Sequence, residues 1–243
     1  MKQIIKIVTE AEKKLHKDHD FVMAICGPEG GGKSHLMLNI IEQVYPKATI
    51  KSIGFNTIGF INALKGAKRY GLAVFDEAGD GLYSRDAMTG VNKLLAKAFM
   101  TIRGRNLFTI LVLPDFFDLD SYFRKHRVKG LFIVPKRGRV RVYNKRQIDR
   151  INQIGERTKR ILVKPSIYDT FPKYKGYLAE IYKMHKDEKI KESLDNLDQS
   201  GTGISKIDLF KALLLKGVEF NEAVKIADIS TPYAYKIKNS LDL

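Results

Sequence analysis

The residues with the most chemical capacity lie in one run of eight, Gly27-Pro28-Glu29-Gly30-Gly31-Gly32-Lys33-Ser34, which satisfies the full G-x-x-x-x-G-K-S spacing. Glycines at these places let consecutive backbone amides converge on phosphate oxygens, and a helix opening at the end of the loop adds its positive pole. Lys33 is expected to reach the β- and γ-phosphates of a nucleotide and Ser34 to ligate Mg2+, with His35 next along the same phosphate-binding turn. A second run, Leu72-Ala73-Val74-Phe75-Asp76-Glu77, is apolar until it ends on two carboxylates. Asp76 is expected to serve the Mg2+, directly or through water, and Glu77 to polarise an attacking water as general base. The Asp-Glu pair favours ATP hydrolysis over a GTPase, and no N-K-x-D guanine-reading sequence occurs. ATP and Mg2+ are therefore the expected cofactors.

Loop and carboxylates need rigid elements to bring them together. FVMAIC (21–26) predicts a buried strand leading into the loop, and Leu36, Leu38, Ile40, Ile41 and Val44 give the segment after it a buried helical side. Cys26, at the end of that strand, reads as a small buried apolar residue. Further strands are expected over 49–55, 70–77 and 107–115, with helices over 2–17, 60–67 and 88–104 and a helix or helical turn over 118–126. GLFIVP (130–135) and RVRVYN (139–144), joined by Lys136, Arg137 and Gly138, predict a hairpin or sheet edge. Strands this apolar, alternating with helices, imply an α/β fold whose mostly parallel sheet is covered on both faces.

Charge is the next signal. The chain carries 43 basic and 27 acidic residues, a formal net charge of +16, and residues 124–164 alone hold 15 basic against 2 acidic. A charge serving solubility would be spread out, whereas one block fits a polyanion contact. On a strand, Arg139 and Arg141 share one face and Val140 and Val142 the other. With Lys136, Arg137, Lys145 and Arg146 they form the expected DNA-binding set, able to grip phosphates without reading bases. A sheet edge protected by positive charge is the alternative for the same ribbon.

VFDEAGDGLYSRD, TIRGRNLFTILVLPDFFDLDSYFRKHRV and the basic hairpin, in that order after the phosphate loop, resemble the additional-strand catalytic-glutamate (ASCE) class of P-loop ATPases. Within it they are similar to phage, plasmid and archaeal-virus ATPases related to the FtsK/HerA DNA translocases, including zonular-occludens-toxin-like and genome-packaging members. The resemblance covers about residues 20–145. It implies a RecA/ASCE-like P-loop NTPase fold and a polar γ-phosphate sensor at the end of the fourth strand, where this chain has Asp115. An ionised Asp accepts hydrogen bonds and cannot donate one to phosphate, so Asp115 is expected to position water, an arginine or the next loop. The resemblance also implies a homo-oligomeric ring in which an arginine reaches a neighbour's nucleotide. Arg85 and Arg103 are the first candidates, with Arg105, Arg124 and Arg127 behind them.

The organisation expected is an ATPase core with a leading helix over 1–150, a basic and helical connecting segment over 151–199, and a small helical module over 200–243. In the module, FNEAVKIADISTPYAYKIKNSL has the shape of a helix-turn-helix pair. Ala223, Ile226 and Ala227 would pack the first helix, Ile229 would plug the turn and Ser230 or Thr231 would cap the second helix. Asp228 stands where a turn glycine is commonest, so DNA binding, plain helical packing or oligomerisation, and contact with another protein stay open.

A 44% apolar content excludes a wholly disordered chain, and a single cysteine excludes a disulfide framework or clustered-cysteine zinc site. The five histidines are too far apart in sequence to suggest a metal cluster. Charges run through the first 20 residues, and no stretch approaches 18 apolar residues, so neither a signal peptide nor a membrane span is expected and the protein reads as cytoplasmic. The leading expectation is an ATP-driven DNA translocase or genome-packaging motor working with viral, plasmid or replication proteins. A helicase loader or replication-initiation ATPase, and an ATP-gated DNA-binding regulator, are the alternatives.

Overall fold

The computed structural model describes residues 1–76, 90–101, 103–188, 210, 214, 219–227, 230–232 and 234–235. Glu77 and Arg85 lie outside the described residues. The chain divides into two compact units, Met1–Lys186 and Asp187–Leu243.

In the first unit the helices are α1 (Lys2–Leu15), α2 (Lys33–Val44), α3 (Thr57–Gly66), α4 (Gly90–Thr101), α5 (Lys145–Thr158) and α6 (helical over 179–186). The strands are β1 (Phe21–Cys26), β2 (Ile53–Gly54), β3 (Leu72–Phe75), β4 (Phe108–Leu113), β5 (Val128–Lys136), β6 (Arg139–Asn144) and β7 (Ile167–Thr170). They form one seven-stranded sheet in the order β2-β3-β4-β1-β5-β6-β7. Pairing is parallel from β2 through β5 and antiparallel for β6 and β7. Strand β4 lies between β3 and β1. The expected α/β architecture with a mostly parallel sheet is the one observed.

Alternation along each strand divides the core into two layers. Met23 and Ile25 of β1 face a cluster with Ile4, Val8, Ala11 and Leu15 of α1 and Leu36, Ile40 and Ile41 of α2. Val22, Ala24 and Cys26 face the opposite cluster with Phe60 of α3, Phe99 of α4 and Ile148 and Ile151 of α5. Burying each such Val, Leu, Ile or Phe stabilises by about 1.5–3 kcal/mol, and β1 is buried on both faces along Val22–Cys26. That anchors the strand leading into the phosphate loop.

Three elements differ from the expectation. The second strand shortens to Ile53–Gly54 because Ile50–Ser52 wind into a 3₁₀ turn. Residues 145–158, split above between the core and the connecting segment, form one helix, α5. Asn144 accepts from the Gln147 amide while the Gln147 side chain accepts from the Asn144 amide, a complete capping box. The boundary expected at residue 150 therefore falls inside α5. Finally, β6 is not a sheet edge, since β7 pairs along its outer side.

β7 also ties the sheet to the start of the chain. Asp169 accepts hydrogen bonds from the Met1 ammonium (2.7 Å) and from the Gln3 and Ile4 amides (both 3.1 Å), capping α1 from a distant strand. Among the described residues no helix is long and apolar enough to cross a membrane.

In the second unit, Phe220–Ala227 form helix α7, and residues 231–232 and 234–235 are helical. Ala223 is buried as expected, whereas Ile226, expected to pack the first helix, is 52% exposed. The aromatic rings do that packing instead: Phe220 lies 5.8 Å from Phe210 and 4.5 Å from Tyr235. Ile229 and Tyr233 lie outside the described residues, as does the side chain of Ala227.

Burial alone would raise the Asp169 carboxyl, but hydrogen bonds from the Met1 ammonium and the Thr170 and Ile4 amides outweigh it and hold the group below its ordinary value. Asp169→Ala should lower stability by about 1–2 kcal/mol through loss of the cap. Because the folded-state pKa is depressed, the contribution is fully present above the ordinary Asp value of about 3.9 and is lost as pH falls through the lower folded value. Urea unfolding should show the gap between wild type and variant at neutral pH and its closure in acid. Equal midpoints at neutral pH would show that α1 does not depend on this carboxylate.

Candidate functional site

The phosphate loop is built by confinement. β1 ends between β4 and β5, and the chain must turn out of the sheet at once. At Gly27 (φ +150°) the amide donates to the Pro114 carbonyl beyond β4 (2.9 Å). A Cβ there would stand 2.2 Å from the Val134 carbonyl oxygen of β5, so only glycine fits. The Gly31 amide donates to the Pro28 carbonyl (3.1 Å), tightening the turn. Gly32 adopts a left-handed conformation (φ +94°) immediately before α2, and no side chain caps that helix. Its first amides are thereby left to an anion.

Lys33 Nζ folds back over the loop and donates to the carbonyls of Gly27 (2.7 Å) and Pro28 (3.0 Å). Burial holds its ammonium below the ordinary lysine range, opposed by the negative charges of Asp76 and Glu29. Ser34 and His35 follow in the first turn of α2, while Pro28, Glu29 and Gly30 are exposed at the tip. His35 Nδ1 is buried without a hydrogen-bond partner among the described residues. Burial lowers the His35 pKa first, and the positive charges of Lys173 and Arg137 lower it further.

Asp76 directly follows β3 and is 1% exposed. Its amide donates to the Gly54 carbonyl of β2 (2.9 Å), and its Oδ2 accepts from the Tyr182 hydroxyl. Since β4 alone separates β3 from β1, Asp76 and Gly27 leave the same edge of the sheet two strand spacings apart, about 9–10 Å. A helix-start hydroxyl, Ser34, and this buried carboxylate make a hard oxygen donor set of the kind Mg2+ takes. Asp115 is exposed and caps the 3₁₀ turn Phe116–Asp118, accepting from the Phe117 amide (2.7 Å). Of its three expected partners, the next loop is one that it holds among the described residues.

The arginines separate by what already holds them. Arg105 donates to the carbonyls of Leu64, Lys65 and Ala67 at the end of α3. Arg124 is buried against Leu119 and Asn152, and Arg127 pairs with Asp20 (2.6 Å). Arg103 is exposed before β4 and near Asp20, which precedes β1. The loop follows β1, so about 17 Å of strand separates Arg103 from the phosphate loop of its own chain.

The basic hairpin forms as expected, with Arg137 and Gly138 as its two-residue turn. Arg139 and Arg141 are exposed and Val140 and Val142 buried. Arg139, Val140 and Arg141, with Lys136, Tyr168 and Thr170, line a groove of about 570 Å³. Across the strands Arg141 sits opposite Tyr168, which is 60% exposed. Two members of the expected DNA set are engaged elsewhere: Arg137 Nε donates to the Gly30 carbonyl (2.8 Å), and Lys145 Nζ to Asp149 and to the Lys125 carbonyl (both 2.7 Å). Arg146 is exposed.

Sequence reasoning missed the strap that follows β7. Phe171 packs beside Gly32, the Pro172 carbonyl accepts from Asn39 (3.0 Å), and Tyr177 donates to the Ala48 carbonyl (2.8 Å), so residues 171–177 run along α2 from its start to beyond its end. Tyr182 on α6 then reaches Asp76. The available signal was the recurrence of Ile167, Phe171, Tyr174, Leu178 and Tyr182 through a stretch broken by prolines and lysines.

No family model matches the chain, and no curated protein matches its sequence. Its structure is similar to that of the genome packaging NTPase B204 from Sulfolobus turreted icosahedral virus 2 in complex with AMPPCP, at 14% identity and a TM-score of 0.38, over 53% of this chain and 93% of that one. B204 in complex with sulfate gives 13% identity and a TM-score of 0.36, over 51% and 91%. The N-terminal domain of zonular occludens toxin from Neisseria meningitidis gives 13% identity and a TM-score of 0.41, over 65% and 96%. Both kinds of protein are among those that the sequence motifs resemble.

Proposed function

We propose that the chain is an ATP-hydrolysing motor that acts on DNA as a homo-oligomer, of the translocase or genome-packaging kind. The observation that carries the ATPase reading is the meeting, at one edge of the sheet, of an uncapped helix start with Lys33 and the buried carboxylate of Asp76. On binding ATP, Lys33 Nζ exchanges the Gly27 and Pro28 carbonyls for β- and γ-phosphate oxygens, and the first amides of α2 take the remaining charge. Ser34 and Asp76 would hold Mg2+, which when bound neutralises charge on the transferred phosphoryl group. Glu77 takes a proton from the attacking water.

An arginine from a neighbouring copy completes the site. Arg105, Arg124 and Arg127 are held within their own subunit, which leaves Arg85 and Arg103 for this role. Arg103, at the strand end opposite the loop, could reach a phosphate only on another copy. Lys136, Arg139, Arg141 and Arg146 grip DNA phosphates along the groove, while Arg137 belongs to the nucleotide loop and Lys145 to the start of α5. Both substrates put this work in the cytoplasm.

Lys33→Ala should abolish nearly all ATP hydrolysis, and Glu77→Gln should keep ATP binding while hydrolysing about 10²–10⁴-fold more slowly. Phosphate release measured beside equilibrium nucleotide binding checks both. Unchanged turnover in folded Lys33→Ala would remove the proposed site.

Replacing Arg139 and Arg141 together by glutamine should weaken binding to unrelated duplexes alike and flatten the plot of log affinity against log salt by roughly 1.8 units. Basal hydrolysis should persist and its stimulation by DNA should fall. Loss of binding to one sequence only would favour a DNA-binding regulator over a motor.

A further inference from the structure

We propose that Tyr182 is a positioning residue for the carboxylate that would hold Mg2+, its hydroxyl fixing the orientation of Asp76; this rests on the ATPase reading. Asp76 is 1% exposed, and a carboxylate so far from water needs donors on its oxygens. One of them is a phenol 106 positions later in the chain. Nothing in the phosphate loop or the strand run demands a tyrosine there, yet the fold takes trouble to deliver it.

The delivery is rigid. Tyr182 is 7% exposed, and its ring packs 5.5 Å from that of Phe55, which follows β2 and is itself stacked on His185 (6.2 Å). Upstream, Tyr174 and Leu178 are buried in the same core layer as α2, and the Tyr174 hydroxyl accepts from the Leu178 amide (3.3 Å). The strap is thus anchored at Gly32, directly before α2, and ends on the carboxylate that would hold the metal. Lys186, one turn beyond Tyr182, is near enough to lower the Lys33 pKa, so this end of α6 and the phosphate loop share one electrostatic neighbourhood. Carboxylates that bind metals are oriented by such outer donors, whose removal typically costs 10–100-fold in metal affinity.

Tyr182→Phe keeps the ring and deletes only the donor. Mn2+ binding to the protein with a non-hydrolysable ATP analogue, read by electron paramagnetic resonance at fixed pH, should weaken by about 10–100-fold. Binding of the analogue in excess EDTA should not change, and in an Asp76→Asn background the same substitution should leave Mn2+ affinity nearly untouched. If Tyr182→Phe fails to fold, Tyr182→His and Tyr182→Leu replace it: both shorten the side chain, but only His keeps a donor and should bind Mn2+ more tightly. Unchanged affinity would reduce Tyr182 to packing, and tighter Mn2+ binding would show that it competes with the metal; either overturns the proposal. Wild-type protein that binds the analogue neither with nor without Mn2+ would overturn the ATPase reading itself, a result distinct from a Tyr182→Phe variant that behaves like wild type.

Discussion

The structure turns on the absence of space at Gly27. β1 is flanked on both sides, so the chain leaving it must pass between the ends of β4 and β5, where a single added carbon would collide with the Val134 carbonyl. That confinement forces the turn, and the turn points the unfilled amides of α2 and the Lys33 ammonium back across the sheet edge. The same edge receives Asp76 because β3 is parallel to β1 with one strand between them. Parallel pairing puts the exits of β1 to β5 on one side, and the site is made of what those exits carry.

The fold was legible where a residue's chemistry and its spacing agreed. FVMAIC, LAVF and FTILVL are too apolar to have a wet face, and all three are internal strands of the sheet. The G-x-x-x-x-G-K-S run named its own conformation because only glycine tolerates Gly27 and Gly32 as they are placed. Legibility failed where long-range contacts decide. The four residues of β7 look like loop, and they are a strand only because β6 offers them a partner. Helix α5 was concealed by its charge, although Asn144 and Gln147 spelled out its cap. Tyr182 could not be found at all, since no local pattern links a tyrosine to an aspartate 106 residues earlier.

Positive charge turns out to be several things. Within the basic block, Arg124 is buried as a structural donor, Arg127 and Lys129 neutralise Asp20, Lys145 pairs along its own helix, and Arg137 holds a loop carbonyl. What remains exposed toward the groove is Lys136, Arg139 and Arg141. Composition gave the sum of these charges, and only packing distinguishes the ones spent internally from the ones offered outward.

Arg137 has a mechanical consequence. It occupies the turn between β5 and β6, one residue from Lys136 and two from Arg139, and its Nε is bonded to the carbonyl of Gly30 at the tip of the phosphate loop. The turn closes a hairpin whose ladder shifts register between Ile133 and Lys136, so a bulge in β5 lies directly before it. Through this one hydrogen bond, the groove-lining side chains and the tip of the phosphate loop are fastened to the same turn.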